Sequence, residues 1–133
     1  MENLINDFLN KNNIFAVIGV SRDSSKYGSK IYLDLKQSGY RVYPINPNSE
    51  DVFGDKCYPS LDKLPIKPAV VDIVVPPKVA VEIVRQCKDL GIAKIWFQPG
   101  TESAEAIRLC QENNINFVSG VCLMAERNAQ NNK

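Results

Sequence analysis

The sequence predicts an α/β domain built on a doubly wound, mostly parallel sheet of five or six strands. Three observations carry this prediction. Strand-length apolar runs alternate with amphipathic helical segments along the chain. Two of the runs, residues 14–20 and Val70-Val71-Asp72-Ile73-Val74-Val75, are apolar on both faces but for Asp72, as central strands covered by helices on each side must be. The first run ends in Gly19-Val20-Ser21, and a polar loop, Arg22-Asp23-Ser24-Ser25-Lys26-Tyr27-Gly28, leads into a helical segment.

The elements follow in order. Leu4, Ile5, Phe8 and Leu9 recur at helical spacing, so residues 2–11 are expected to form an amphipathic helix packed on the sheet or on a neighbouring subunit. Asn12-Asn13 breaks it before the first strand at 14–20. A helix over about 28–38 stops at Gly39, a natural C-terminal cap. Arg41 to Ile45 reads as a strand whose Pro44, unable to donate to a ladder, is tolerated near its end. Asn46 to Asp51 is a polar loop, Phe53-Gly54-Asp55 a turn, and Lys56-Cys57-Tyr58 a short edge strand. Ser60 is placed to cap one helical turn before Pro65.

After the strand at 70–75, Pro76-Pro77 starts a helix over 77–90, with Ala80, Ile83, Val84 and Cys87 on its buried face and Gly91 closing it. Lys94 to Phe97 is the next strand, turned by Gln98-Pro99-Gly100. Thr101-Glu102-Ser103 supplies capping hydroxyls and an acidic first turn to a helix with Ala106, Ile107 and Cys110 inward, ended by Asn113-Asn114. Residues 115–118 form a last strand, Leu123 to Asn128 a last helix, and residues 129–133 a frayed tail. The 133 residues show no repeat or linker and read as one domain.

Composition removes several function classes. Sixteen basic against fifteen acidic residues leave no electrostatic footprint for nucleic acid or a membrane surface. No apolar run approaches the roughly 20 residues that span a bilayer, and the N-terminus lacks signal-peptide features, so a cytoplasmic protein is expected. The cysteines at 57, 87, 110 and 122 are widely spaced, consistent with free thiols in a reducing compartment. There is no histidine, which excludes histidine acid–base chemistry, Ser-His or Cys-His nucleophiles and phosphohistidine transfer on this chain.

In an open parallel sheet, ligands bind beyond the carboxyl ends of the strands, where the winding reverses. Four loops here meet that description: Gly19 to Gly28, Asn46-Pro47-Asn48, Pro76-Pro77-Lys78 and Gln98-Pro99-Gly100. In the first, backbone N–H groups at a helix start favour a diphosphate. Arg22, Lys26 and the hydroxyls of Ser21, Ser24 and Ser25 add donors. A nicotinamide site usually carries an acid after the second strand; here Asn46 stands there, with no carboxylate before Glu50. That argues against NAD and suits a ribose bearing a phosphate, as in coenzyme A or NADP; charge alone does not separate these two.

The stretches Gly19-Val20-Ser21, Tyr27-Gly28, Gly39 to Pro47, Gly54 to Tyr58, Val71 to Val74, Trp96 to Gly100 and Cys122-Leu123 stand in the order seen in the small stand-alone CoA-binding proteins. The chain resembles that family over about residues 12–125. Its fold resembles the N-terminal CoA-binding domain of the succinyl-CoA synthetase alpha subunit. The resemblance implies a Rossmann-like domain with CoA across the strand ends. Gly19 to Gly28, Val20 included, would form the phosphate turn; Asn46 and Pro47 would lie near the adenosine ribose; Val75, Pro76 and Pro77 would form the adenine wall; Gln98 and Gly100 would lie near the pantetheine arm. Two departures stand out: Gly120-Val121 replaces the Asp-Arg pair common before the closing cysteine, and Pro76-Pro77 is closer to the synthetase domain.

The expected function is binding of CoA or an acyl-CoA without catalysis of its own, as a sensor or carrier. The alternatives are an NAD(P)-binding redox-sensing domain or the CoA-binding subunit of a multi-chain acyl-CoA synthetase. A homodimer through the apolar N-terminal helix and edge strand is a further expectation. Cys122, after the last strand and near the binding edge, is expected to come within reach of the CoA thiol and to form a mixed disulfide.

Overall fold

The structure, a computed structural model, describes residues 1–130. The chain runs α1 (Glu2–Phe8), β1 (Phe15–Ile18), α2 (Tyr27–Gln37), β2 (Val42–Ile45), β3 (Asp51–Val52), β4 (Asp55–Lys56), a 3-10 turn (Leu61–Lys63), β5 (Val70–Ile73), α3 (Pro77–Leu90), β6 (Lys94–Phe97), α4 (Ala104–Glu112), β7 (Asn116–Val118) and α5 (Leu123–Gln130). Among the described residues, five strands form one sheet in the order β2-β1-β5-β6-β7, every pair parallel. The chain leaves β1 outward to β2 and returns to β5 on β1's other side. The winding therefore reverses between β1 and β5.

Alternation of side chains along the strands builds two cores. Ala16, Ile18, Val71, Ile73, Ile95 and Phe97 pack against α3 and α4. Phe15, Val17, Val70 and Trp96 pack with α1, α2 and α5. Phe8 and Trp96 meet edge-on, with ring centroids 6.2 Å apart. Helix α1 thus packs on the sheet, one of the two placements expected for it, with Ile5 and Phe8 buried.

The expected elements are present with shifted ends. Helix α1 stops at Phe8: Leu9 makes the last helical bond, to the Ile5 carbonyl, and the Asn10 N–H then bonds Asp7 only three residues back. Strand β1 is shorter than its apolar run, because Gly19 takes φ +106° and the N–H groups of Gly19 and Val20 both bond the Ile45 carbonyl. Helix α5 continues to Gln130, whose side chain bonds Asn6 at 2.7 Å, so residues 129 and 130 are helical rather than frayed; residues 131–133 lie outside the described residues. Ile107 is only partly buried, and the Ser60 hydroxyl bonds the Asp62 carboxylate instead of capping the turn.

Asp51 and Lys56 pair in a hairpin, of which the sequence reading had the turn and a strand from Lys56 but not the first strand, Asp51–Val52. Its two-residue turn, Phe53-Gly54, has φ +51° and +81°, the signature of a type I′ turn. Tyr58 then lies along the outer edge of β2, donating to the Pro44 carbonyl. Pro44 faces that edge, so its missing N–H costs the main sheet nothing.

Helix α5 is locked to α2 by a two-pronged ion pair: Arg127 Nε and Nη2 donate to Asp34 Oδ2 and Oδ1 at 2.5 and 2.9 Å. Both side chains are largely buried, 8% and 18% exposed. Removing the guanidinium strands the carboxylate, so Arg127→Ala is expected to lower stability by about 2–3 kcal/mol. The urea midpoint measures this; a change within a few tenths of a kcal/mol would mean the pair is ornamental.

Candidate functional site

The rim of the sheet is built first by its glycines. A Cβ on Gly28 would lie 2.3 Å from the Gly19 carbonyl oxygen, and one on Gly19 would lie 2.6 Å from the Val74 carbonyl oxygen. The start of α2, the end of β1 and the exit of β5 therefore touch backbone to backbone at the point where the winding reverses. No side chain caps α2 among the described residues: Lys26 holds the cap position in extended conformation without a side-chain bond. The first-turn N–H groups of this 11-residue helix are left for an anion.

The loop between them is pre-formed. Ser29, fully buried, donates to the Ser21 carbonyl at 2.7 Å and accepts from the Ser21 N–H at 3.1 Å. Asp23 accepts from the Ser25 N–H and hydroxyl; those bonds hold its carboxyl below the ordinary carboxylate range. Arg22 leans on β3, donating to the Asp51 carbonyl at 3.1 Å. Ser24, Lys26 and Tyr27 are exposed around the loop. The Val20 side chain is buried, so this residue offers the rim only backbone.

Beside this loop, on the α3 face, opens a cavity of about 500 Å³. Gly19, Asn46, Pro47 and Val75, all singled out from the sequence, line it, together with Ile18, Ile45, Asn48, Pro59, Ser60, Val79, Ile83 and Gln86. Its wall is mostly apolar, with amides and a hydroxyl at the edge and no carboxylate. Asn46 is committed to the scaffold: its amide donates to the Val20 carbonyl at 2.8 Å, and its oxygen accepts from the Asn48 N–H at 2.8 Å. The sequence reading missed Val79, Ile83 and Gln86. They sit on α3 at i, i+4 and i+7, and only the direction of that helix over the rim tells which of them faces a ligand.

Pro76 and Pro77 do not line this cavity. They are exposed at the start of α3, as cap and first helical residue, while Val75 lies on the cavity wall. Gln98 is turned inward and buried. Its Nε2 points at Cys122 Sγ at 3.4 Å, and its Oε1 accepts from the Leu123 N–H at 2.9 Å. Gly100 is exposed, with φ +91° and open space beside it.

Cys122 gathers a second cluster on the other side of the rim. Its sulfur lies 2.8 Å from the Tyr27 hydroxyl and accepts from Gln98. The backbone N–H groups of Met124 and Ala125, in the first turn of α5, also favour its charged form. Its neighbours are pinned: the Trp96 indole donates to the Val121 carbonyl at 3.0 Å, and Leu123 is held by Gln98. Burial raises the thiol pKa, but these bonds outweigh it and leave it below the ordinary cysteine value. The other thiols go the opposite way through burial, Cys57 up and Cys110 up to about 11, with Cys87 higher still. Beneath the cluster lies Asp72, completely buried, neither oxygen bonded. Burial, and then the field of Cys122, push its pKa well above the ordinary carboxylate value.

Comparison with known proteins places this architecture in context. The family described as "CoA binding domain" matches residues 13–128. An ADP-forming acetate–CoA ligase II of Archaeoglobus fulgidus is 40% identical over 79 residues, 58% of this chain and 12% of the ligase. The alpha subunit of the corresponding Pyrococcus furiosus ligase is 36% identical over 90 residues, 67% of this chain and 20% of the subunit. The chain thus spans a fifth or less of these relatives. A hypothetical protein from Pyrococcus horikoshii superposes with a TM-score of 0.92 at 34% identity, covering 97% of this chain and 91% of its own.

Proposed function

The chain belongs to the CoA binding domain family, and we propose that it holds coenzyme A or an acyl-CoA across the carboxyl ends of the sheet, without catalysis of its own. The diphosphate sits on the uncapped start of α2, within the loop from Gly19 to Gly28. Arg22, Lys26 and the hydroxyls of Ser21, Ser24 and Ser25 add donors around it. The adenosine end enters the cavity beside Asn46, Pro47 and Val75, and the pantetheine arm crosses toward Gln98 and Gly100.

The observation that carries the reading is the adjacency at Gly19, which belongs both to the anion-ready turn and to the lining of the cavity. One nucleotide can engage both. A cavity with no carboxylate on its wall suits a phosphorylated ribose better than the hydroxyl-bearing ribose of NAD. The family is one of CoA binders, which favours CoA over NADP. Four unpaired thiols suit a cytoplasmic setting, and no helix among the described residues is long and apolar enough to cross a membrane.

Within this reading the domain is a sensor or carrier of CoA. The likeness to a ligase alpha subunit supports a second use of the same rim, as the CoA-binding subunit of a synthetase completed by a partner chain. This sequence has no histidine, so any phosphohistidine step belongs to that partner. Thermal melting with CoA, NADP and NAD added separately tests the ligand. CoA at 100 times its Kd is expected to stabilise by about 2.7 kcal/mol. An equal effect from NADP, or none from CoA, rejects the assignment.

A further inference from the structure

The cluster at Cys122 lies outside the cavity, yet Tyr27 belongs to the loop assigned to the diphosphate and Gln98 to the turn assigned to the pantetheine arm. The sulfur is therefore where the reactive end of a bound CoA arrives. It is half-buried, and its position is fixed on both sides by Trp96 and Gln98. Tyr27 and Gln98 both place polar hydrogens at it, and its pKa lies below the ordinary cysteine value, which raises the share of thiolate.

A second observation points to a guest. Asp72 is completely buried under Cys122 and Tyr27, and both of its oxygens lack partners, while its electrostatic influence reaches both of those residues. An unpaired carboxyl in a strand interior costs stability. Here it leaves an unused polar group on the floor of the cluster.

We infer that Cys122 is a thiol–disulfide exchange site whose substrate is the disulfide of coenzyme A, an inference that rests on the CoA reading above. The Cys122 thiolate attacks one sulfur of CoA disulfide. A new S–S bond joins Cys122 to that CoA, and the old S–S bond breaks. Its electron pair leaves on the second CoA as a thiolate, which takes a proton from solvent. One disulfide is made for one broken: the Cys122 sulfur is oxidised by as much as the departing CoA sulfur is reduced, and no further oxidant is needed. The protein then carries CoA covalently until a thiol reductant releases it.

The test uses the full chain, reduced and freed of reductant, exposed to CoA disulfide or to glutathione disulfide at equal concentration. Intact mass and peptide mapping are expected to show one CoA on Cys122, released by dithiothreitol and absent from Cys122→Ser. Formation is expected to be at least roughly tenfold faster than with glutathione disulfide, because binding of the nucleotide raises the effective concentration at the sulfur. Reduced CoA is assayed in parallel by thermal melting. If reduced CoA stabilises the protein but no adduct forms, or it maps to another cysteine, or glutathione disulfide reacts as fast, the exchange site is refuted and CoA binding stands. If reduced CoA has no effect, both fall.

Discussion

Gly28→Ala is expected to lower stability by about 3 kcal/mol, roughly 10 °C in Tm for a domain of this size, and to abolish the melting shift produced by CoA. The added methyl would stand 2.3 Å from the Gly19 carbonyl oxygen, and no flexible side-chain end is there to yield. Relief requires α2 to move away from β1, which takes the helix start off the turn proposed to hold the diphosphate. Gly54→Ala is the control. Gly54 has a positive φ, +81°, which Gly28 does not, but nothing lies within 4 Å of its missing Cβ, so its cost is conformational alone, about 1 kcal/mol. The CoA effect should survive there. Equal costs at both positions, or a full CoA shift in Gly28→Ala, would mean that close approach of helix and strand does not build the site.

The same contact shows what the sequence could reveal and what it could not. Alternating apolar runs and Gly-ended strands made the parallel sheet readable, because a buried strand must be apolar on both faces and a glycine is the only residue that fits a backbone-to-backbone approach. The site turn was readable for the same reason. Residues joined only by tertiary geometry were not. Ser29 reads as an ordinary helical serine, yet it ties the loop to α2 through Ser21. Trp96 reads as core, and it is, but its indole also anchors Val121. Asn46 was legible as a site residue by position, while its bonds to Val20 and Asn48 show that its side chain shapes the rim. Pro76 and Pro77 were placed on the adenine wall by the family resemblance. The same proline chemistry that starts α3 keeps them at its exposed mouth.

Asp72→Asn is expected to stabilise the protein increasingly as pH rises. The native carboxyl, buried and without a partner, holds its proton well above the pH at which the unfolded chain releases it. Folding must therefore take up a proton from about pH 4 upward, and each pH unit costs the wild type about 1.4 kcal/mol until the native pKa is reached. Below about pH 4 both states are protonated and the variant should match the wild type; above it the variant should be the more stable, by a margin that widens with pH until the native carboxyl ionises. Urea unfolding across that range reads the difference directly. Parallel profiles would show that Asp72 is ionised in the native protein and that the cluster has been misread. The outcome bears on Cys122 as well. Asp72 and the sulfur oppose each other's charge, so the cluster carries one negative charge more easily than two. The sulfur has polar partners in Tyr27 and Gln98, while the carboxyl has none. That asymmetry lowers the thiol pKa while it raises that of Asp72, the direction a nucleophilic Cys122 requires.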